Sequence, residues 1–399
     1  MEYNKEFWSQ YFIENFDPKE YYNSTLSSKT EKLDQFIKYW TGIKQHDKSW
    51  YALMYTTLGG SELAAILDKN KYKKRVDVIN DKVNLRLGLN VFNGGAACTW
   101  GTMFEDILGF CYEKIFNTKI KGDDICIQIF TGHRNSPDGF SILNINTDGE
   151  IAINMDNIVD EKIVLLEFKC PYSRNPAKVP PHYEIQVQSG LGVAPVAEFG
   201  LYADAQFRTC TYNSLKSSGY NNNSKYDRPL DNELLITFHN YFRHGKIIDT
   251  EIIKHYPIYY GIIGVFSSVE KVSGITDFGT LTIGDFEELL GKIDKKIYTI
   301  IRKPIYDIGM IEWQDDPNFI GFIPWKLFKI NITFIERKSN FMGLVLPYIL
   351  DVHREVDEIY TKKIEMRELE KKSINYEQDD YIREFTVEDV QQLYSMVDK

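Results

Sequence analysis

Two short stretches carry residues that packing alone does not require: Ser136-Pro137-Asp138-Gly139, and Leu166-Glu167-Phe168-Lys169-Cys170-Pro171. Ile163 to Leu166 is an apolar run of the kind that fills a buried strand, and Pro171 ends it because proline cannot donate to a ladder. Residues two apart on a strand share a face, so Glu167 and Lys169 project together from the end of a core strand. A carboxylate and an ammonium there are costly without a partner. Asp138 lies in a turn that feeds a second strand, Phe140 to Ile145. That strand turns at Asn146-Thr147-Asp148-Gly149 and returns through Glu150 to Ile153, which brings Asp138 beside the end of the Glu167 strand. Two carboxylates and a lysine then meet around one or two hard cations. Oxygen ligands favour Mg²⁺ or Mn²⁺ over zinc.

Three further segments bear on this chemistry. A helix from about Thr99 to Phe116 is apolar round most of its circumference, so Glu105 on it is either salt-bridged, at a helix end, or turned to a metal. Gly101 and Gly109 lie one turn to either side and leave the groove beside it open. A second helix, His182 to about Val193, starts after Pro180-Pro181, with Pro181 suited to its first turn, and carries Tyr183 and Gln186 on one face. Between Ser173 and Pro181 runs a loop with Arg174 and Lys178. In Leu58-Gly59-Gly60-Ser61, Ser61 reads as the N-cap of a helix; the same turn also suits an anion, although a plain cap is the commoner role.

The elements that must position these residues fit an α/β (α+β) chain with a central mixed sheet flanked by helices. Residues 1–50 suit two amphipathic helices separated by Asn23 to Ser28, residues 51–350 form the main body, and 351–399 form a charged helical tail with a capping box at Thr386 and Asp389. Strands are expected over Glu198 to Phe207, Leu234 to Phe242, Ile258 to Phe266 and Ile330 to Ile335. Helices are expected over Asp285 to Ile301 and Asn340 to Leu369. Residues 211–230 form a polar loop whose Lys216, Lys225 and Arg228 are solvated.

Composition narrows the class. At 399 residues, 43% hydrophobic and 26% charged, the chain buries a full core. A net charge of −10 argues against a protein that coats nucleic acid through many phosphate contacts, but not against an enzyme with a local basic channel. Five cysteines with no CxxC pair suit a reducing compartment and speak against an iron–sulfur cluster. The N-terminus has no apolar signal region, and the longest apolar runs are too short to span a bilayer, so a soluble intracellular protein is expected. No HExxH or GxxxxGK[ST] points to a zinc or nucleotide site.

Taken in order, LGGSELAAIL, WGTMFED, SPDGF, LEFKCPY and YEIQVQ resemble the lambda-type exonucleases, or YqaJ-like viral recombinases, of the PD-(D/E)XK nuclease superfamily. The matching stretch runs from Leu58 to about Gln188; the rest, with its PWKLF segment, is similar to versions encoded by large eukaryotic DNA viruses. The resemblance implies a restriction-endonuclease-like core and a Mg²⁺-dependent exodeoxyribonuclease that degrades one strand of duplex DNA from a 5′ end, for recombination or repair. Asp138 and Glu167 become metal ligands with the Phe168 carbonyl as a third, and Glu105 supports the metal. Lys169 positions or deprotonates the attacking water, Gln186 holds water or phosphate with Tyr183 beside it, and Ser61 binds the terminal 5′-phosphate. Implied partners are double-stranded DNA ends and a strand-annealing protein. The implied assembly is a ring-shaped homotrimer in the host cytoplasm.

Family members often carry an arginine shortly before that serine; Trp50 to Leu58 has neither Arg nor Lys. Either Arg86 or Arg174 substitutes or end recognition is weaker, which keeps a restriction-like or structure-selective endonuclease open. A DNA-binding scaffold that lost activity is the non-enzyme alternative, opposed by the intact Asp138, Glu167 and Lys169.

Overall fold

Asp138 and Glu167 are fixed by one antiparallel pair and one turn. The structure, a computed structural model, describes residues 28–42, 48–89, 96–129, 132–146, 158–176, 178–209, 234–243, 246–255, 260–266, 298–301, 317 and 319–373. By internal packing the chain divides into Met1–Val356 and Asp357–Lys399, and the site lies in the first unit.

The strands are β1 (Leu58–Gly59), β2 (Ile127–Ile129), β3 (His133–Asn135), β4 (Phe140–Asn146), β5 (Ile158–Lys169), β6 (Phe199–Thr209), β7 (Leu234–Arg243), β8 (Lys246–His255), β9 (Tyr260–Phe266), β10 (Tyr298–Ile301) and β11 (Phe319–Glu336). The helices are α1 (Lys29–Trp40), α2 (Lys48–Thr56), α3 (Gly60–Ile66), α4 (Arg75–Arg86), α5 (Ala96–Phe116), α6 (Pro181–Val193) and α7 (Phe341–Ser373).

The main sheet has the order β10-β9-β11-β6-β5-β4, and β7 pairs with both β11 and β8. It is mixed, as expected. β4 and β5 run antiparallel, β5 and β6 parallel, and β6 and β11 antiparallel. The parallel step needs a crossover, and α6 supplies it. A small sheet, β1-β3-β2, sits apart and sets Gly59 opposite Arg134.

α5 buries its aromatic face on the main sheet. Phe104 stacks on Phe207 at 4.6 Å between centroids, and Tyr112 meets Phe168 at 5.5 Å. Tyr112 and Ser141 join their hydroxyls at 2.7 Å in the interior, so neither is left unsatisfied. α6 opens with Pro181 in its first turn, as the proline pair requires. Its last carbonyls at Leu191 and Ala194, with Ala197 beyond, accept from the guanidinium of Arg337.

Several expectations are corrected. Tyr298–Ile301 is a strand paired with β9, not the end of a helix. The PWKLF segment lies within one long strand, β11, rather than ahead of a shorter one; its register shifts between Leu327 and Lys329. A strand not foreseen, β8, completes a hairpin with β7. Gly59, not Ser61, is the N-cap of α3: the Glu62 carboxylate accepts from the Gly59 N–H at 2.7 Å, and Ser61 lies exposed inside the helix. Ser28 caps α1 through a capping box with Glu31. The first N-terminal helix, the return strand at 150–153, the loop at 211–230, the helical stretch at 285–297 and the box at Thr386 and Asp389 lie outside the described residues.

Candidate active site

The SPDG turn continues the β4–β5 ladder by one step. Asp138 N–H donates to the Leu166 carbonyl at 3.2 Å, Leu166 N–H donates to Gly139, and Phe168 N–H donates to Asp138 Oδ2 at 2.5 Å. Gly139 has φ +126°, and a Cβ there would come 2.5 Å from Ile120, so the turn requires glycine. Asp138 is thereby locked against the end of β5.

Glu167 and Lys169 share a face, as alternation predicts. Glu167 is 2% exposed, and its Oε1 touches the Lys169 ammonium. That ammonium also stands 3.9 Å from Asp138 Oδ2 and donates to the Phe168 carbonyl at 2.7 Å. It therefore occupies the point on which all three expected ligands converge. Glu105 joins by charge: half-buried on α5, it is felt electrostatically by Asp138, Glu167 and Lys169. The groove beside it is open at Gly101 and filled at Gly109 by Ile120, a partial correction to the expected opening. Asp106 is the exposed neighbour.

Three carboxylates sharing one ammonium cannot all ionise freely. Burial, reinforced by Asp138, pushes Glu105 up to about 7. Burial, reinforced by Asp138 and Glu105, pushes Glu167 up to about 8 against the pull of Lys169. Burial raises Asp138, while Lys169 and the Phe168 N–H oppose it. Burial lowers Lys169, but Glu167, Asp138 and Glu105 outweigh it and hold the group charged.

A divalent cation fits this set. The donors are oxygen only, Glu167 Oε1 is buried without a well-aligned hydrogen bond, and a cationic head already sits among them. Among the described residues no three Asp, Glu, His or Cys side chains could hold an ion by themselves, so Asp138 and Glu167 would hold one together with the Phe168 carbonyl or water.

Tyr183 lies beside the cluster, with the Lys169 ammonium 5.5 Å from its ring and Tyr202 stacked against it. Gln186 is half-buried one turn further along α6. Arg174 is drawn elsewhere: its guanidinium grips the fully buried Asp204 on β6 with both nitrogens, and Nη2 also reaches Tyr202. Arg86 donates to the Tyr55 carbonyl at 3.0 Å. Arg134 lies two residues before the SPDG turn, and its nitrogens approach Gly59.

Residues 44–197 match the model of the YqaJ-like viral recombinase domain. Proteins of African swine fever virus are similar over most of their length. One from the Pretoriuskop tick isolate is 32% identical over 342 residues, covering 82% of this chain and 90% of the relative. A second, from a Malawi tick isolate, is 30% identical over the same coverage. Among solved structures, LHK-Exo in complex with dAMP aligns at 19% identity over 40% of this chain and 73% of its own, with TM-score 0.29. A phage-related exonuclease from Haemophilus somnus aligns at 11% identity over 78% of this chain and 99% of its own, with TM-score 0.36. Among the described residues no helix is long and apolar enough to cross a membrane. The chain belongs to the same family as these African swine fever virus proteins, and its residues 44–197 match a YqaJ-like viral recombinase domain.

Proposed function

We propose that the chain is a Mg²⁺-dependent exodeoxyribonuclease that hydrolyses one strand of duplex DNA from a 5′ end. The observation that carries this reading is the Lys169 ammonium held among Asp138, Glu167 and the Phe168 carbonyl. A cation bound there supplies charge neutralisation at the scissile phosphate and a water acidified toward neutral pH.

The chain's own residues do the rest. Asp138 is pinned by the Phe168 N–H, so the carboxylate does not swing when substrate arrives. Glu105 and Glu167 hold protons more tightly than ordinary carboxyls and would release them on binding a cation. Lys169, freed from Phe168, orients the attacking water and faces the phosphate. Tyr183 bounds the ammonium's space from the α6 side, and Gln186 lies one turn on to hold water or a phosphate oxygen. Ser61, exposed on α3, contributes to the terminal phosphate by resemblance. Recombination or repair, a strand-annealing partner, a ring-shaped homotrimer and action in the host cytoplasm extend the same reading. Sedimentation in solution tests the trimer.

Digestion with Mg²⁺ of linear 5′-phosphorylated duplex, beside closed circular DNA of the same sequence, tests the activity. The linear form is expected to be consumed and the circle spared. Comparable cutting of the circle would mark an endonuclease instead. Unchanged hydrolysis by Glu167→Ala would remove the assignment of this site.

A further inference from the structure

The face of the main sheet that carries Glu167 and Lys169 continues past the end of β5. Lys169 pairs with Asp204 in the last rung between β5 and β6, and β6 runs on beside β11 to Thr209. Phe207 lies in the core, so Gln206 and Arg208 point to the opposite face, the one shared with Asp204 and Lys169. On β11, Trp325 and Leu327 lie in the core, which turns Lys326 to that polar face, directly opposite Arg208. Residues three apart on a regular strand face opposite ways. Here Phe328 is an extra residue: the register shifts between Leu327 and Lys329, and Ile330 returns to the core. Lys329 is thereby re-aimed to the same face as Lys326, opposite Gln206. The bulge adds a third cation to the row.

Packing does not ask for this arrangement. Like charges directly opposite each other in an antiparallel pair are destabilising. Arg208 and Lys329 are half-buried, and Lys326 is 4% exposed, so water does not fully screen them. Among the described residues none of the three makes an ion pair, and the Arg208 guanidinium donates to the Phe207 carbonyl at 2.6 Å. Burial lowers the Arg208 group, and among the described residues no carboxylate offsets it. Asp and Glu outnumber Lys and Arg by 57 to 47 in the chain, so a shortage of acidic residues is not the cause. Sheltered positive charge is unfavourable unless an anion joins it. Leu235, beside Lys329 on β7, is 39% exposed, so the row opens to solvent on that side.

We infer that Arg208, Lys326 and Lys329 form a backbone clamp that binds internal phosphodiesters of the DNA, away from the reacting end. A row of cations in line with Lys169 suits a polyanion with regularly spaced charges better than a single small anion. Arg208 lies four residues past Asp204, about 13 Å along a strand. Duplex DNA rises about 3.4 Å per phosphate of one strand, so the clamp meets the backbone roughly four steps from the phosphate at Lys169. The assignment rests on the proposed function and names where its substrate is held.

Metal-free binding of a duplex, followed by fluorescence anisotropy at several salt concentrations, tests the clamp. The double variant Arg208→Gln with Lys329→Gln is expected to flatten the salt dependence of log K by about one for each cation removed, equally for unrelated sequences. Duplexes in which one phosphate at a time is a neutral methylphosphonate locate the contact. Wild type is expected to lose about tenfold in affinity at the phosphates roughly four steps from the end, and the double variant to be indifferent there. Melting curves establish whether the double variant folds; if it does not, Lys329→Gln alone carries the test, with a slope change of about one. An unchanged salt slope or a wild-type methylphosphonate profile in the folded variant overturns the clamp, and so does a wild type that binds no DNA. If wild type binds DNA but does not cut it with Mg²⁺, the nuclease reading fails, and the anisotropy still decides the clamp.

Discussion

The Lys169 ammonium lies 2.7 Å from the carbonyl oxygen of Phe168, its neighbour in the chain. It fills the point where Asp138, Glu167 and that carbonyl converge, so a metal bound as proposed would compete with the ammonium for one space. Without metal, the cluster relieves its charge by holding protons. Glu167 sits at about 8 in the folded chain against 4.5 ordinarily. Between those values the folded state binds more protons than the unfolded state, so stability falls as pH rises from about 4.5 to 8. Metal-free protein is expected to melt lower at pH 8 than at pH 5, and Mg²⁺ is expected to raise melting mainly at pH 8. Glu167→Gln removes the ionising group, so it should melt above metal-free wild type at pH 8, by about 2–4 °C for each kcal/mol recovered. Thermal melts across pH, with and without Mg²⁺, check this; a variant that melts lower at pH 8 defeats it.

Lys169→Met separates the lysine's structural part from its chemical one. Three acidic groups then face each other without their cation. Breaking a fully buried pair costs about 3–5 kcal/mol, and the effect here is smaller because Lys169 keeps one-fifth of its side chain exposed. At pH 8 the variant is expected to be destabilised, and Mg²⁺ is expected to restore its melting temperature but not its hydrolysis. Recovery of cutting along with stability would show that Lys169 only neutralises charge.

The cluster was legible because its signals are local. An apolar run, alternation and a proline stop identify β5 from Ile163 to Pro171, and Gly139 marks the turn before β4. What escaped depends on partners far away in the chain. Arg174 reads as a loop cation until parallel β5–β6 pairing sets Lys169 beside Asp204, which lies thirty residues beyond Arg174. β11 hid its first half because the shift between Leu327 and Lys329 breaks the two-residue period on which a strand is recognised. Tyr298–Ile301 continues a helical pattern in sequence, and pairing with β9 overrides it. At α3 the serine drew attention from Glu62, whose carboxylate does the capping.

The Arg174–Asp204 pair is a brace for the loop that follows β5. Asp204 is 0% exposed, so removing its partner leaves a buried carboxylate uncompensated. Arg174→Ala is expected to lose roughly 2–4 kcal/mol, below the fully buried range because the guanidinium is partly exposed. The double variant Arg174→Met with Asp204→Asn should recover much of that. Urea melts of the single and double variants test the coupling. Equal loss in both would mean the ion pair is not what matters there.

Arg337 holds the far end of the helix that carries Tyr183 and Gln186. One guanidinium donates to the carbonyls of Leu191, Ala194 and Ala197, closing a helix end that has no glycine cap. Arg337→Ala leaves these acceptors to water or unpaired, at about 1–3 kcal/mol for each group that stays buried and unsatisfied. Lysine offers a point charge in place of a planar fork and cannot span three carbonyls. Arg337→Lys is therefore expected to fall between wild type and Arg337→Ala in stability. Hydrogen exchange at the last turn of α6 should quicken in the same order, while exchange in β5 stays slow. Uniform quickening of α6 and β5 together would mean that Arg337 supports the whole sheet rather than this helix end.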